Sequence, residues 1–379
     1  MRIVVAPDKF KGSLSAKDAA QAIARGMARA IPDASFDLVP VADGGDGTAQ
    51  TLVAALGGRM ISREVHGPDG KLVNASYGQL SGGSLAVIEL AQASGLALLP
   101  SGTNDPLTAT TYGTGELIGN AIERGARRII LAIGGSATND AGVGALTALG
   151  AVFTDAEGRP LSPGGEALSS LANIDTTALH KRLTGVTIEI ASDVRNPLCG
   201  PGGASAVYGP QKGASPKDVR TLDDALRHFA DVTAAATGVD VRDVPGAGAA
   251  GGVGAGFLAV SGALLRPGAE LVLEVLDFDR HLSGADIVVT GEGKLDRQTL
   301  VGKAPYAVAQ AARARGVPTV AIAGAIECSA AELDEAGIAC AIPAVPGPMS
   351  VEEAMQRSED LVTAASEMLA RALRLRLSR

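Results

Sequence analysis

The segment Arg2-Ile3-Val4-Val5-Ala6-Pro7-Asp8-Lys9-Phe10-Lys11-Gly12-Ser13-Leu14-Ser15-Ala16 decides the fold. Residues 2–6 form a short, continuous apolar run, which predicts a buried strand. A polar loop follows, and then residues 16–30 place Ile23, Met27 and Ala30 on one helical face, with Ser15 and Asp18 as a capping box. Strand, glycine-bearing loop and helix together are the unit from which parallel sheets are built. Residues 36–41 and 47–56 predict the next strand and helix.

The pattern returns at the far end of the chain. Strands are predicted at 286–290, 317–322 and 338–342, with a helix at 305–315. Ser350 with Glu353 caps a long amphipathic helix whose apolar face carries Ala354, Leu361, Val362, Ala365, Met368 and Leu369. The middle reads differently. Turn signals at Gly67-Pro68-Asp69-Gly70 and Ser81-Gly82-Gly83 predict a short β-meander, followed by helices at 115–124, 140–149 and 216–236 and strands at 128–133 and 186–191. The fold class is therefore α/β. A Rossmann-like domain is expected from both chain ends, residues 1–66 plus 285–379, with a second α/β domain, residues 67–284, inserted. The active site is expected in the interdomain cleft, at the carboxyl ends of parallel strands.

Composition narrows the function. Of 379 residues, 46% are hydrophobic and 20% charged, enough for a real core and too apolar for a disordered chain. Lys+Arg 33 against Asp+Glu 41 gives a net charge of −8, Trp is absent and aromatics are 3%. Phosphate backbones want a basic face and bases want aromatic platforms, so nucleic acid is excluded as a partner. Three cysteines without a CxxC indicate neither a disulfide framework nor a cysteine zinc site. Met1 leads straight into a strand, with no signal-peptide core. The uncharged run 244–265 is long enough to cross a bilayer, but seven glycines and Pro245 interrupt it. A cytoplasmic protein without membrane contact is expected, with small-molecule partners, as a monomer or small homo-oligomer.

Glycine is unusually abundant, 49 residues, and clusters after apolar β-like runs, where backbone approaches a ligand closely. Four such junctions carry chemistry. In the first, Lys9, Lys11 and Ser13 suit a carboxylate or phosphate before a helix N-terminus, and Asp8 suits a substrate hydroxyl. In the second, Ala42-Asp43-Gly44-Gly45-Asp46-Gly47, two carboxylates suit a divalent cation or a general base, although Asp46 or Gly47 equally serves as a helix cap. The third, Gly134-Gly135-Ser136-Ala137-Thr138-Asn139-Asp140, follows an apolar strand and suits phosphate cradling on backbone N–H groups. The fourth, Gly291-Glu292-Gly293-Lys294-Leu295-Asp296-Arg297-Gln298, with Lys303 beyond it, combines metal-type oxygens with cations, the mixture phosphoryl transfer requires. Asp193 at a strand end and Lys212 on a glycine-bounded turn are weaker additions.

Several patterns lead nowhere. Gly246-Ala247-Gly248-Ala249-Ala250-Gly251 matches GxGxxG but follows Pro245 rather than a strand, so a glycine-lined helix start is expected there. There is no Walker A motif and no GxSxG elbow, and the four histidines are scattered. The residues alone thus leave three readings: an ATP-dependent small-acid kinase, a Mg-dependent phosphatase, or a non-catalytic organic-acid binding protein.

In order along the chain, Ala6-Pro7-Asp8, Phe10 to Ala16, Pro40 to Gly45, Gly113 to Leu117, Gly134 to Asp140, Asp193 with Asn196-Pro197-Leu198, Gly209 to Gly213, Gly246 to Gly252 and Thr290 to Gly293 with Asp296 resemble the type I glycerate kinase family. The departures are Lys9 where a small polar residue is expected, Asp46 for Glu, Ala141 for Gly and Ser192 for Cys. The resemblance implies ATP and Mg²⁺, with D-glycerate as acceptor and 2-phosphoglycerate favoured over 3-phosphoglycerate. The positions of the residues make Asp43, Asp193 and Asp8 the catalytic candidates and Lys9, Lys11, Ser13, Asn139 and Lys212 the substrate-binding ones. Gly134, Gly135, Ser136, Gly291, Gly293, Lys294 and Lys303 are the nucleotide- or phosphate-binding candidates, and Glu292 and Asp296 the metal ligands.

Overall fold

Thirteen strands lie within residues 1–377, the part of the chain that the computed structural model describes. They are β1 (Arg2–Pro7), β2 (Ser35–Leu38), β3 (Arg59–His66), β4 (Leu72–Leu80), β5 (Leu85–Glu89), β6 (Arg128–Ala132), β7 (Val152–Thr154), β8 (Asn173–Asp175), β9 (Thr187–Ala191), β10 (Leu264–Arg266), β11 (Ile287–Leu295), β12 (Thr319–Ile326) and β13 (Ile338–Pro343). The fold is α/β, in two units: Met1–Asp43 joined by the segment from Gly268 onward, and Gly44–Pro267. The helix Thr48–Leu56 and β3, which the sequence groups with the terminal domain, belong to the second unit. There β3 pairs along its length with β4, and the helix packs on β4 and β5.

The first unit is built on a five-stranded sheet in the order β13-β12-β11-β1-β2, with every neighbouring pair parallel. The strand order reverses at β1: the chain moves from β1 to β2 on one side and from β11 through β12 to β13 on the other. Such a reversal opens a crevice at the carboxyl ends of the strands. Both faces of the sheet are covered, which is why β1 is continuously apolar rather than alternating. On one face Ile3 and Val5 pack with Ile23 and Met27 of the helix Ala16–Ala30 and with Val362 and Leu369 of Ser358–Leu377. On the other, Ala321, Ala323 and Leu295 pack with Ala309 of the helix Ala304–Ala314.

The C-terminal helical region is two pieces, Val351–Gln356 and Ser358–Leu377, because Arg357 leaves helical geometry at φ −101, ψ 11. Met368 lies at the edge of the stripe formed by Leu361, Val362, Ala365 and Leu369 and is 64% exposed, not part of the apolar contact. The helices Ala16–Ala30 and Ser358–Leu377 approach closely at Gly26. A Cβ there would lie 2.1 Å from the Thr363 carbonyl oxygen and 2.7 Å from Ser366 Cβ. Gly26→Ala is therefore expected to destabilise the protein by about 2 kcal/mol, since overpacking of up to ~3 kcal/mol outweighs the ~1 kcal/mol gain in helix propensity. Urea unfolding tests this; an unchanged midpoint would refute the close-packing account.

The second unit has a six-stranded sheet in the order β10-β9-β6-β5-β4-β3. β3, β4 and β5 are antiparallel, the expected meander, and β5, β6, β9 and β10 are parallel. β7 and β8 form a separate two-stranded antiparallel sheet. A buried Glu189 on β9 is bracketed by Arg128 at 2.6 Å and Arg266 at 2.8 Å. The helix expected from residue 140 begins only at Val143, after Gly142 in the left-handed region at φ 73. In the glycine segment, Ala250, Gly251 and Gly252 all have positive φ, and a buried helical run including a π-turn follows to Ser261. No helix among the described residues is long and apolar enough to cross a membrane.

Candidate active site

In the first unit, β1 ends at Pro7, opposite Gly291 of β11, and the Asp8 N–H donates to the Gly291 carbonyl at 2.8 Å. Asp8 and Glu292 are thus carried to the carboxyl ends of adjacent strands at the reversal point. On the other side of β1, backbone bonds from Val39 to Val5 and from Val41 to Pro7 extend the β2 path and bring Asp43 to the same edge. Sheet register alone assembles these carboxylates.

Their surroundings make them costly to ionise. Asp8 is 5% exposed; burial and then the Asp43 charge push its carboxyl up to about 7, with Glu292 adding a smaller push. Lys9 opposes this through its charge and through its N–H, which donates to Asp8 Oδ1 at 2.6 Å. Glu292 is also buried, and burial pushes its carboxyl to about 7, with Asp296 and Asp43 adding to the effect. The Thr299 hydroxyl, donating to Glu292 Oε1 at 2.6 Å, and the Lys303 charge pull the other way. Asp296 is half-buried and accepts from the N–H groups of Gln298 and Thr299. Desolvated carboxylates that repel one another are the hard-oxygen donor chemistry of a divalent cation. Among the described residues no three His, Cys, Asp or Glu side chains are arranged as a metal cage. Magnesium needs none, because it keeps waters and takes one or two carboxylates plus phosphate oxygens. The residues fit.

The flanking candidates are placed differently. Lys303 stands at the N-cap position of the helix Ala304–Ala314, and its side chain makes no capping bond there. Gly291 lies where a Cβ would sit 2.2 Å from the Ile322 carbonyl oxygen, so β11 and β12 pack there without room for a side chain. Gly293 is adjacent to the Lys11 N–H, at 3.3 Å from a built Cβ. Lys294 is exposed and paired with Glu327 at 2.9 Å. Phe10 to Leu14 close into a tight turn with exposed Lys11 and Gly12 at φ 79, and the Ser13 hydroxyl donates to the Phe10 carbonyl at 3.1 Å. Ser15 caps the following helix and Asp18 sits in its first turn, so this N-terminus already carries its own acceptor and a negative charge. Any anion at Lys11 is therefore met by the lysine rather than by the helix end.

In the second unit the register Glu89–Ala132–Ala191 puts Glu89, Gly134 and Asp193 along one edge of the sheet. Gly134 and Gly135 are exposed, Gly135 at φ 70, and Ser136 is bridged to Gly95. The glycine turn at 44–47 runs beside them: a Cβ on Gly134 would lie 3.7 Å from Gly45 Cα, and one on Gly135 would lie 3.4 Å from Asp46 Oδ1. Asp193 is exposed on the loop after β9. Asn139 and Lys212 are buried; the Lys212 ammonium donates to the Thr138 carbonyl at 2.6 Å, and burial pulls its pKa to about 7 against the opposing Asp140 charge.

Glu89 was not legible as a site residue. It is 2% exposed and accepts from the N–H groups of Gly47 at 3.0 Å and Ala49 at 2.8 Å, supplying the cap that the helix Thr48–Leu56 lacks locally. The available signal was a lone carboxylate ending an apolar strand, the same signal that marks Asp43.

These features coincide with a family match over most of the chain: residues 3–374 fit the model of the glycerate kinase family. The chain is 47% identical to the glycerate kinase of Bacillus subtilis (strain 168), covering 99% of this chain and 98% of that one. It is 45% identical to the glycerate 2-kinase of Escherichia coli (strain K12), covering 98% of each. A crystal structure from Salmonella typhimurium LT2, provisionally assigned as glycerate kinase 2, superposes with a TM-score of 0.91 at 44% identity over 100% of both chains. The chain belongs to the glycerate kinase family.

Proposed function

We propose that the protein transfers the γ-phosphoryl group of ATP to D-glycerate, giving 2-phosphoglycerate. The observation that carries this reading is the group of Asp8, Asp43 and Glu292 at the strand-order reversal, with Lys303 beside it. Kinship to a chain named glycerate 2-kinase supports the 2-phosphate product.

Asp8 is assigned as the general base. Lys9 N–H holds its Oδ1, and Oδ2 takes the proton of the attacking hydroxyl. A carboxyl near 7 is matched to proton transfer at neutral pH. Glu292 and Asp43 are assigned to hold Mg²⁺, with Asp296 supporting from the neighbouring turn; the ion supplies charge neutralisation on the transferred group. Lys303 faces the same charge. Gly134 and Gly135 offer exposed backbone to phosphate oxygens, and Lys11 with Lys9 takes the glycerate carboxylate. Asp193, being exposed, is assigned to the rim rather than to proton transfer.

Incubation with ATP, Mg²⁺ and D-glycerate should yield ADP and a phosphoglycerate whose phosphorus spectrum identifies the 2-ester. The L-enantiomer should react more slowly, because a site that fixes a carboxylate and two hydroxyls discriminates by leaving groups unpaired. Absence of ADP formation with any small hydroxy acid would overturn the reading. Lys11→Met should raise KM for glycerate about tenfold with kcat nearly unchanged, since it removes binding shared by ground and transition states.

A further inference from the structure

The loop leaving β6, residues 134–142, is braced from within by polar groups of three other segments of the second unit. Lys212 closes the turn Pro210–Lys212, is 2% exposed, and reaches the Thr138 carbonyl with its ammonium. Asn104 donates through one amide nitrogen to the carbonyls of Ala137, at 3.0 Å, and Lys212, at 2.7 Å. Asn139 donates to the Ser205 hydroxyl at 3.0 Å. The packing is equally restrictive: a Cβ on Gly251 would lie 2.2 Å from the Thr138 carbonyl oxygen, and one on Gly165 would lie 2.5 Å from that of Asn139.

This bracing comes at an energetic cost. Ala141 is held at φ 52, in the left-handed region. Among the described residues Thr138 Oγ1, Asn139 Oδ1 and Asn104 Oδ1 are buried without a hydrogen-bond partner, each costing about 1–3 kcal/mol. Strained and unsatisfied positions persist where the surroundings over-determine them, and they cluster at working sites. A lysine is seldom fully buried, and an unbranched apolar side chain would fill the same volume without desolvating a charge. What the ammonium provides, and a methylene chain cannot, is a fixed direction for the Thr138 carbonyl.

We infer that Lys212 is a positioning residue: through the Thr138 carbonyl, with Asn104 bracing both strands of the contact, it sets the path of the Gly134–Asn139 backbone. The inference rests on the assignment of that backbone to phosphate and substrate oxygens. Lys212 itself touches neither.

The test uses the full-length protein carrying Lys212→Met. Amide exchange in the 134–142 peptide should accelerate at least about tenfold while the remainder of the second unit keeps its protection. With ATP and D-glycerate, kcat/KM should fall roughly tenfold to a hundredfold. Asn104→Ala loosens the same loop from its other side and should reproduce the exchange pattern; it decides the matter if Lys212→Met does not fold. Unchanged exchange in the loop overturns the inference, and so does uniform acceleration across the unit, which a merely structural lysine would give. Failure of the kinase reading is separable, because the exchange measurement needs no turnover: wild type without ADP formation removes the function while the loop result still judges Lys212.

Discussion

Asp8→Asn is expected to slow phosphoryl transfer severely and, without Mg²⁺, to make the protein more stable near pH 8. The carboxyl of Asp8 is pushed from its ordinary 3.8 to about 7, first by burial and then by Asp43. Between about pH 4 and 7 the folded protein therefore binds this proton and the unfolded chain does not. The stability this proton confers is complete below about 4 and is lost as pH rises through about 7. At pH 8 the ionised group destabilises the fold by up to about 4 kcal/mol, from about three units at 1.36 kcal/mol each. Asparagine keeps the acceptor for the Lys9 N–H and removes the charge, so a gain of about 1–3 kcal/mol is expected, several degrees in Tm. Loss of the base should lower kcat by about 10² to 10⁴. Wild type should also melt at a lower temperature near pH 8 than near pH 5.5 if this group dominates. Glu292 shares the same sign, so the variant flattens that slope only in part. A variant that is less stable than wild type at pH 8, or one with kcat within threefold, contradicts the assignment.

That prediction draws on a part of the molecule that was only half visible in the sequence. The strand at 2–6, the helix Ala16–Ala30 and its Ser15 cap are local features, written in apolar runs and capping residues that need no tertiary information. Asp8, Asp43 and Glu292 could each be singled out because each follows an apolar run into glycine-rich sequence. Their proximity could not: it comes from parallel pairing of Pro7 with Gly291, far apart in the sequence. The fate of Lys294 was equally hidden. One residue separates it from Glu292, so strand alternation sets both on one face, but Lys294 lies at the exposed end of β11 and meets Glu327 there. At Lys11 and Ser13 the helix N-terminus looked open to an anion, yet Asp18 in the first turn already supplies the negative charge. The loop 134–142 looked like a strand-to-helix phosphate cradle; its helix starts late because Ala141 and Gly142 both turn left-handed first. Glu89 was missed because its role is to cap a helix forty residues upstream, a partnership no local pattern reveals.

Asp140→Ala should cost the most stability of any single substitution considered, about 3–5 kcal/mol, read from denaturant unfolding. The carboxylate is fully buried and accepts from four donors: Thr111 N–H and hydroxyl, each at 2.8 Å, Gly142 N–H at 3.1 Å and Gly144 N–H at 3.3 Å. Burial alone raises its pKa, and these bonds favour the charged form. Alanine leaves buried N–H donors unmatched, at about 1–3 kcal/mol each where nothing relaxes to meet them. It also removes the nearby negative charge that favours the Lys212 ammonium. The two losses share partners and do not simply add. Lys212 then has a cheaper route, shedding its proton, since burial already brings it to about 7. Asp140 holds the Lys212 pKa up, so in the Asp140→Ala protein it falls below about 7, and the deficit relative to wild type should shrink as pH rises toward 7. Asp140→Asn keeps the shape and one acceptor and should lose about half as much. A loss below about 1 kcal/mol for alanine would show that Thr111 and Gly142 find other partners, and that Asp140 does not anchor this loop.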